Sequence, residues 1–146
     1  MSAEQAPMVP PSFEPLAADV GHRQELRSML ASSNLFADLS PDNIKTLAKY
    51  ARAYSAAKDT TIFLEGQYAG FMCIIMRGRV KVFKDSGDGY SKLIAEADAG
   101  NSLGEMSMLD GQPPSATAVA AEAVTLVTLT RADFTKIAAE NPQLAT

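Results

Sequence analysis

The sequence predicts a mainly β domain with flanking helices, and three observations carry that expectation. From about Ala53 onward, short runs rich in β-branched and aromatic residues alternate with glycine-containing turns, the pattern of a sheet sandwich or barrel. Ahead of that point, and again after Thr130, apolar residues recur at helical spacing instead. The chain has 146 residues, 47% of them hydrophobic, and a domain of this size buries about 70% of the surface its unfolded form exposes, enough for one core.

Residues Met1 to Pro15 hold Pro7, Pro10, Pro11 and Pro15 among small and polar neighbours. Such a stretch buries too little apolar surface to fix its backbone, so it reads as a disordered arm. The expected division is a flexible arm over 1–20 and one domain over 21–146. Leu26, Met29 and Leu30 share helical spacing, and Ser40-Pro41 then offers an N-cap followed by proline at the first helical position. Ile44, Leu47, Ala48 and Ala51 extend that helix as one apolar stripe.

Strands are predicted over Thr60–Leu64, Phe71–Met76, Val80–Phe83, Leu93–Ala97, Thr117–Ala120 and Val124–Leu129. Gly66, Gly70, Gly78 and the loop Asp85-Ser86-Gly87-Asp88-Gly89 mark the reversals. That loop is acidic but lacks the ligand spacing of a calcium site, so a plain hairpin turn is expected. Arg77, Arg79, Lys81 and Lys84 form the densest basic group, and three of them alternate as on one solvated face of a strand. A last helix starts at Thr130, a capping residue with Asp133 three positions on. Phe134, Ile137 and Ala138 form its apolar side, and Asn141-Pro142 ends it. Four residues follow that proline, leaving no room for a DNA-reading helix-turn-helix.

A net charge of −4 argues against a nucleic-acid surface, because phosphate binding depends on clustered Lys and Arg. The single cysteine, Cys73, lies inside the apolar run Phe71 to Met76 and reads as a buried, inert thiol in a reduced compartment. No Lys or Arg precedes Arg23 and no long apolar run begins the chain, so neither a signal peptide nor a membrane span is expected and the placement is cytoplasmic. The single histidine, His22, lies near the arm and reads as a surface residue. Ser107 stands outside any hydrolase nucleophile elbow. One Cys and one His make no zinc site, and no carboxylate pair is marked out as acid and base. The chain therefore reads as no enzyme, with no cofactor.

One segment stands apart. LGEMSMLDGQPPSATAVA, from Leu103 to Ala120, lies in a stretch with no Lys or Arg between Lys92 and Arg131. Gly104 lets a ligand approach the backbone, and a short helix over Glu105 to Leu109 would offer free N–H groups to an anion or an oxygen-rich group. Glu105 would accept sugar hydroxyls. Ser115 and Thr117 add hydroxyl donors, and Ala116, Ala118 and Ala120 leave space beside them. The same residues would also serve as a turn, helix and turn that merely join two strands.

The order of leading helices, the Glu65-Gly66 turn, the IIMRGRVKVF strand-turn-strand, LGEMSML, SATAVA and the helix TRADFTKIAAENP resembles the cyclic nucleotide-binding domain family over about Asn34 to Leu144. The resemblance implies an eight-stranded β-roll flanked by helices. It also implies that Leu103, Gly104, Glu105, Met106, Ser107, Pro114, Ser115, Ala116 and Thr117 hold the ligand, cyclic AMP or cyclic GMP. By that likeness Gly104 lies against the ribose phosphate, Glu105 accepts the ribose 2′-hydroxyl, and Ser115 and Ala116 give the phosphate a hydroxyl and a backbone N–H. Where the family carries an arginine for the phosphate, this chain has Pro114, a loss of about tenfold to a few hundredfold in affinity. The resemblance also implies a long closing helix after Pro142, where this sequence has four residues; either the ligand is left uncovered, or a partner or the N-terminal arm supplies the lid, and a truncated chain would look the same. Two functions follow: a regulatory sensor with weakened cyclic nucleotide affinity, or a degenerate member that binds a protein or another small anionic ligand or nucleotide.

Overall fold

The run FMCIIM has no polar break because both of its faces are buried. In the computed structural model, which describes residues 10, 12–16, 27, 28, 30, 31 and 39–140, these residues lie in strand β4 (Phe71–Arg77). Phe71, Cys73 and Ile75 point into one apolar cluster between two sheets. Met72, Ile74 and Met76 point into a second cluster, shared with helices. A strand's period of two divides the run between the faces.

The first sheet has five strands in the order β1 (Glu14–Pro15), β2 (Arg52–Ala56), β9 (Val124–Thr130), β4 and β7 (Ser102–Leu103). The second has four, in the order β3 (Thr61–Phe63), β8 (Thr117–Ala120), β5 (Val80–Asp85) and β6 (Ser91–Ala97). Every pairing is antiparallel. The architecture is a β-roll, with eight strands from Arg52 onward and the two-residue β1 added at its edge.

Among the described residues, helices α1 (Pro41–Tyr50), α2 (Glu105–Asp110) and α3 (Arg131–Glu140) cover the outer face of the five-stranded sheet. Leu30, Ile44, Leu47, Met108 and Ile137 pack there against Val127 and Leu129. Both expected caps form. Ser40 Oγ accepts from Asn43 N at 3.2 Å ahead of Pro41, and Thr130 Oγ1 accepts from Asp133 N at 3.1 Å. Arg27, Ser28, Leu30 and Ala31 are helical as well. Leu26, Met29, His22 and the Asn141-Pro142 stop lie outside the described residues.

Three features differ from the sequence reading. Glu14–Pro15 is a strand against Tyr54 and Ser55, not a free arm, because Phe13 is 4% exposed and meets the rings of Tyr54 and Phe71. One aromatic anchor fixes what composition alone leaves loose. Strands β2 and β7 had no clear alternation, and ladder bonds to β9 and β4 define them instead. The expected shared face of Arg77, Arg79 and Lys81 is split, because Arg77 closes β4 and Lys81 lies on β5 beyond the Gly78 turn.

The Asp85 to Gly89 loop is a hairpin turn whose carboxylates serve its own backbone. Asp85 accepts from Gly87 N at 2.9 Å and Asp88 from Tyr90 N at 3.2 Å. The Ser86 hydroxyl bond, together with the backbone, holds the Asp88 carboxyl below its usual range.

Candidate ligand-binding site

The segment from Leu103 to Ala120 crosses from one sheet to the other. Leu103 pairs with Cys73 at the edge of the five-stranded sheet, and Thr117–Ala120 runs between β3 and β5 in the other. Between these anchors α2 and the stretch Gly111 to Ala116 arch over a cavity of about 280 Å³. Its wall is formed by Leu103, Gly104, Glu105, Met106, Ser107, Gln112, Pro113, Pro114, Ser115 and Ala116, and its floor by Phe63, Val82 and Ala118.

Gly104 adopts φ 81° and ψ 21°, a left-handed conformation that glycine accepts without penalty. A Cβ there would stand 2.5 Å from Phe63 Cζ and 3.0 Å from the Phe71 carbonyl oxygen. The rings of Phe63 and Phe71 stack at 4.7 Å, so the glycine brings the segment's backbone down onto an aromatic floor. α2 has only six residues, and its partial charge is correspondingly small. Its C-terminal end is tied down, because Arg131 Nη1 donates to the Met108 carbonyl at 3.4 Å.

Glu105 is half-buried in the cavity wall and accepts a hydrogen bond from the Ser102 hydroxyl. An ionised carboxylate has about four acceptor sites, so capacity remains for ligand hydroxyls. Burial pushes the nearby Cys73 thiol far up, and the Glu105 charge adds to the effect. Cys73 is thus the inert core thiol its surroundings imply.

Ser107 is 1% exposed and donates to the Gln112 carbonyl at 2.6 Å. Although it borders the cavity, its hydroxyl closes the arch and is committed to the fold. Thr117 falls outside this cavity, since its hydroxyl accepts from Glu65 N at 3.0 Å on the outer side. The other eight of the nine expected site residues surround the cavity.

Among the described residues, Glu105 is the single ionisable side chain in that wall. Pro114 occupies the position expected for a cation, and its carbonyl accepts from Gly66 N at 2.9 Å. Ser115 is exposed, and its carbonyl accepts from Lys84 Nζ at 2.6 Å. Phe63, Val82, Gln112 and Pro113 were not foreseen, and Ala118, expected as a small residue leaving space beside Ser115 and Thr117, lies in the cavity floor. Alternation on β5 and β8 marks Val82 and Ala118 as inward-facing, but not as neighbours of Gly104.

Among the described residues no cluster of His, Cys, Asp and Glu could hold a metal ion, and no helix is long and apolar enough to cross a membrane.

Comparison with known proteins agrees with this geometry. A family model described as the cyclic nucleotide-binding domain matches residues 54–141. The cyclic AMP receptor protein of Thermus thermophilus is 28% identical over 116 residues, 80% of this chain and 54% of that protein. A cAMP-dependent protein kinase regulatory subunit of Candida albicans is 30% identical over 121 residues, 83% of this chain and 25% of that protein. The crystal structure of a cyclic nucleotide-binding domain from Methylobacillus flagellatus superposes with a TM-score of 0.79 at 30% identity, covering 92% of this chain and 76% of that one. The chain spans about half the length of the first of these curated relatives and a quarter of the second. With a family model covering more than half of its residues and a β-roll that superposes closely on a solved domain, the chain belongs to the cyclic nucleotide-binding domain family.

Proposed function

We propose that this domain is a non-enzymatic sensor whose cavity takes a cyclic mononucleotide, cyclic AMP or cyclic GMP, with affinity reduced by the proline at position 114. The observation that carries the reading is the convergence of Gly104, Glu105, Ser115 and Ala116 on one cavity between the sheets. Glu105 would accept the ribose hydroxyl there, while the Ser115 hydroxyl, with no partner among the described residues, and the Ala116 N–H would face the phosphate. The named relatives that respond to cyclic AMP support this ligand class. A reduced, cytoplasmic setting accords with the single buried thiol.

Ligand binding would be read out by a protein partner, a second copy or a segment of the whole protein. Pro114 favours a second reading, in which the pocket has been released from cyclic nucleotides and the domain works by protein contact. Calorimetry separates the two. The sensor reading expects saturable heat with cyclic AMP or cyclic GMP at micromolar to low millimolar concentration, weakened at least tenfold by Glu105→Ala. No heat and no melting shift at millimolar nucleotide would refute it.

A further inference from the structure

We propose that Lys84, which lies outside the glycine-glutamate segment, is the cation of this site: it positions the Ser115 peptide and sets a positive charge beside the ligand's phosphate. The proposal rests on the nucleotide reading above and adds a residue to it.

A phosphate diester carries a full negative charge, and the cavity wall meets it with one carboxylate and otherwise neutral groups. Neutral donors beside a carboxylate hold an anion poorly unless a cation lies near. Lys84 is on β5, two positions beyond Val82 of the cavity floor. Its ammonium donates to the Ser115 carbonyl at 2.6 Å. The peptide joining Ser115 to Ala116 is a rigid plane with its C=O and N–H on opposite edges. Fixing the oxygen therefore fixes the direction of the Ala116 N–H, and the charge on the oxygen strengthens that N–H as a donor.

The surrounding bonds make this a supported position and not a stray surface lysine. Glu65 stands 3.6 Å from the ammonium and accepts from Asp85 N at 2.9 Å. From the same turn, Gly66 N holds the Pro114 carbonyl at 2.9 Å and Glu65 N holds the Thr117 hydroxyl at 3.0 Å. The stretch Pro114 to Thr117 is thus held by groups from elsewhere in the chain at three points, and Lys84 is the cationic one. Arg79 pairs with Glu96 and Glu122 and Arg131 serves the Met108 carbonyl; Lys84 too has a carboxylate, Glu65, at 3.6 Å, but its short bond is to the Ser115 carbonyl in the cavity wall.

If a separation of about 6–8 Å between ammonium and phosphate is taken, with an effective dielectric of about 20–40, a unit charge changes affinity by about five- to a hundredfold. The Lys84 side chain is 48% exposed, which places the effect near the lower end, about tenfold, and makes it sensitive to salt. Titrations of the wild type, Lys84→Met and Lys84→Arg with cyclic AMP and with adenosine, at low and high ionic strength, test this directly. Lys84→Met should weaken cyclic AMP about tenfold, leave adenosine unchanged and flatten the salt dependence, while Lys84→Arg restores all three to wild-type behaviour. If the wild type binds cyclic AMP and Lys84→Met binds equally well, or if folded Lys84→Arg fails to rescue, Lys84 is not the cation and the proposal falls alone. If the wild type binds no cyclic nucleotide, the reading of the site falls and the proposal with it.

Discussion

Gly104→Ala tests the claim that the segment's backbone must lie directly on the aromatic floor. Two costs apply. The residue's φ of 81° is unfavourable for alanine by about 1–2 kcal/mol. The added methyl would also stand 2.5 Å from Phe63 Cζ and 3.0 Å from the Phe71 carbonyl oxygen, an overpacking that costs about 1–3 kcal/mol more. Phe63 is 4% exposed and stacked on Phe71, so it has little room to give way. The total of about 2–5 kcal/mol is large against a typical stability of about 5–15 kcal/mol. Gly66→Ala is the matched control, because Gly66 has φ 80° but nothing within 4 Å of its added Cβ. It should lose only the backbone part. For a chain of this length the expected fall in Tm is about 4–20 °C for Gly104→Ala and about 2–8 °C for Gly66→Ala. Urea unfolding followed by circular dichroism gives the two free energies directly. Equal losses, within about 0.5 kcal/mol, would show that Phe63 relaxes freely and that Gly104 is required for its φ alone.

Two other perturbations bear on the site. Pro114→Arg should raise cyclic nucleotide affinity by about tenfold to a few hundredfold in calorimetry, since it places a bidentate cation in the cavity wall; an unchanged affinity would mean that charge is not what the site lacks. Burial holds the Cys73 thiol far above its ordinary range, so the folded chain keeps a proton that the unfolded chain releases. This contribution is therefore complete below about pH 8.5 and falls by about 1.4 kcal/mol per pH unit above it. Urea midpoints between pH 8 and 10.5 should show the slope and Cys73→Ala should reduce it; an identical slope in the variant would refute the assignment to this thiol.

Much of this domain is written in local patterns. The alternation that sends Phe71, Cys73 and Ile75 one way and Met72, Ile74 and Met76 the other follows from strand geometry. The capping hydroxyls of Ser40 and Thr130 act within three residues of themselves, so they too are legible without a fold. Gly104 marks, for a similarly local reason, a point in the segment from Leu103 to Ala120 where the backbone must pack closely, and the structure seats it against Phe63 beside the cavity.

The tertiary structure alone decided what stands opposite that segment. Strands β1 and β7 have two residues each, too few for a period, and they exist through the ladders and ring contacts of distant partners. Thr117, which reads as a cavity hydroxyl, is turned outward to Glu65, 52 residues away. Phe63 and Val82 reach the cavity from separate strands, and Lys84 reaches Ser115 across 31 residues. Sequence spacing determines which groups share a face of one element. Which faces meet depends on how the two sheets close, and so the contact of Lys84 with Ser115 is visible only in the folded chain.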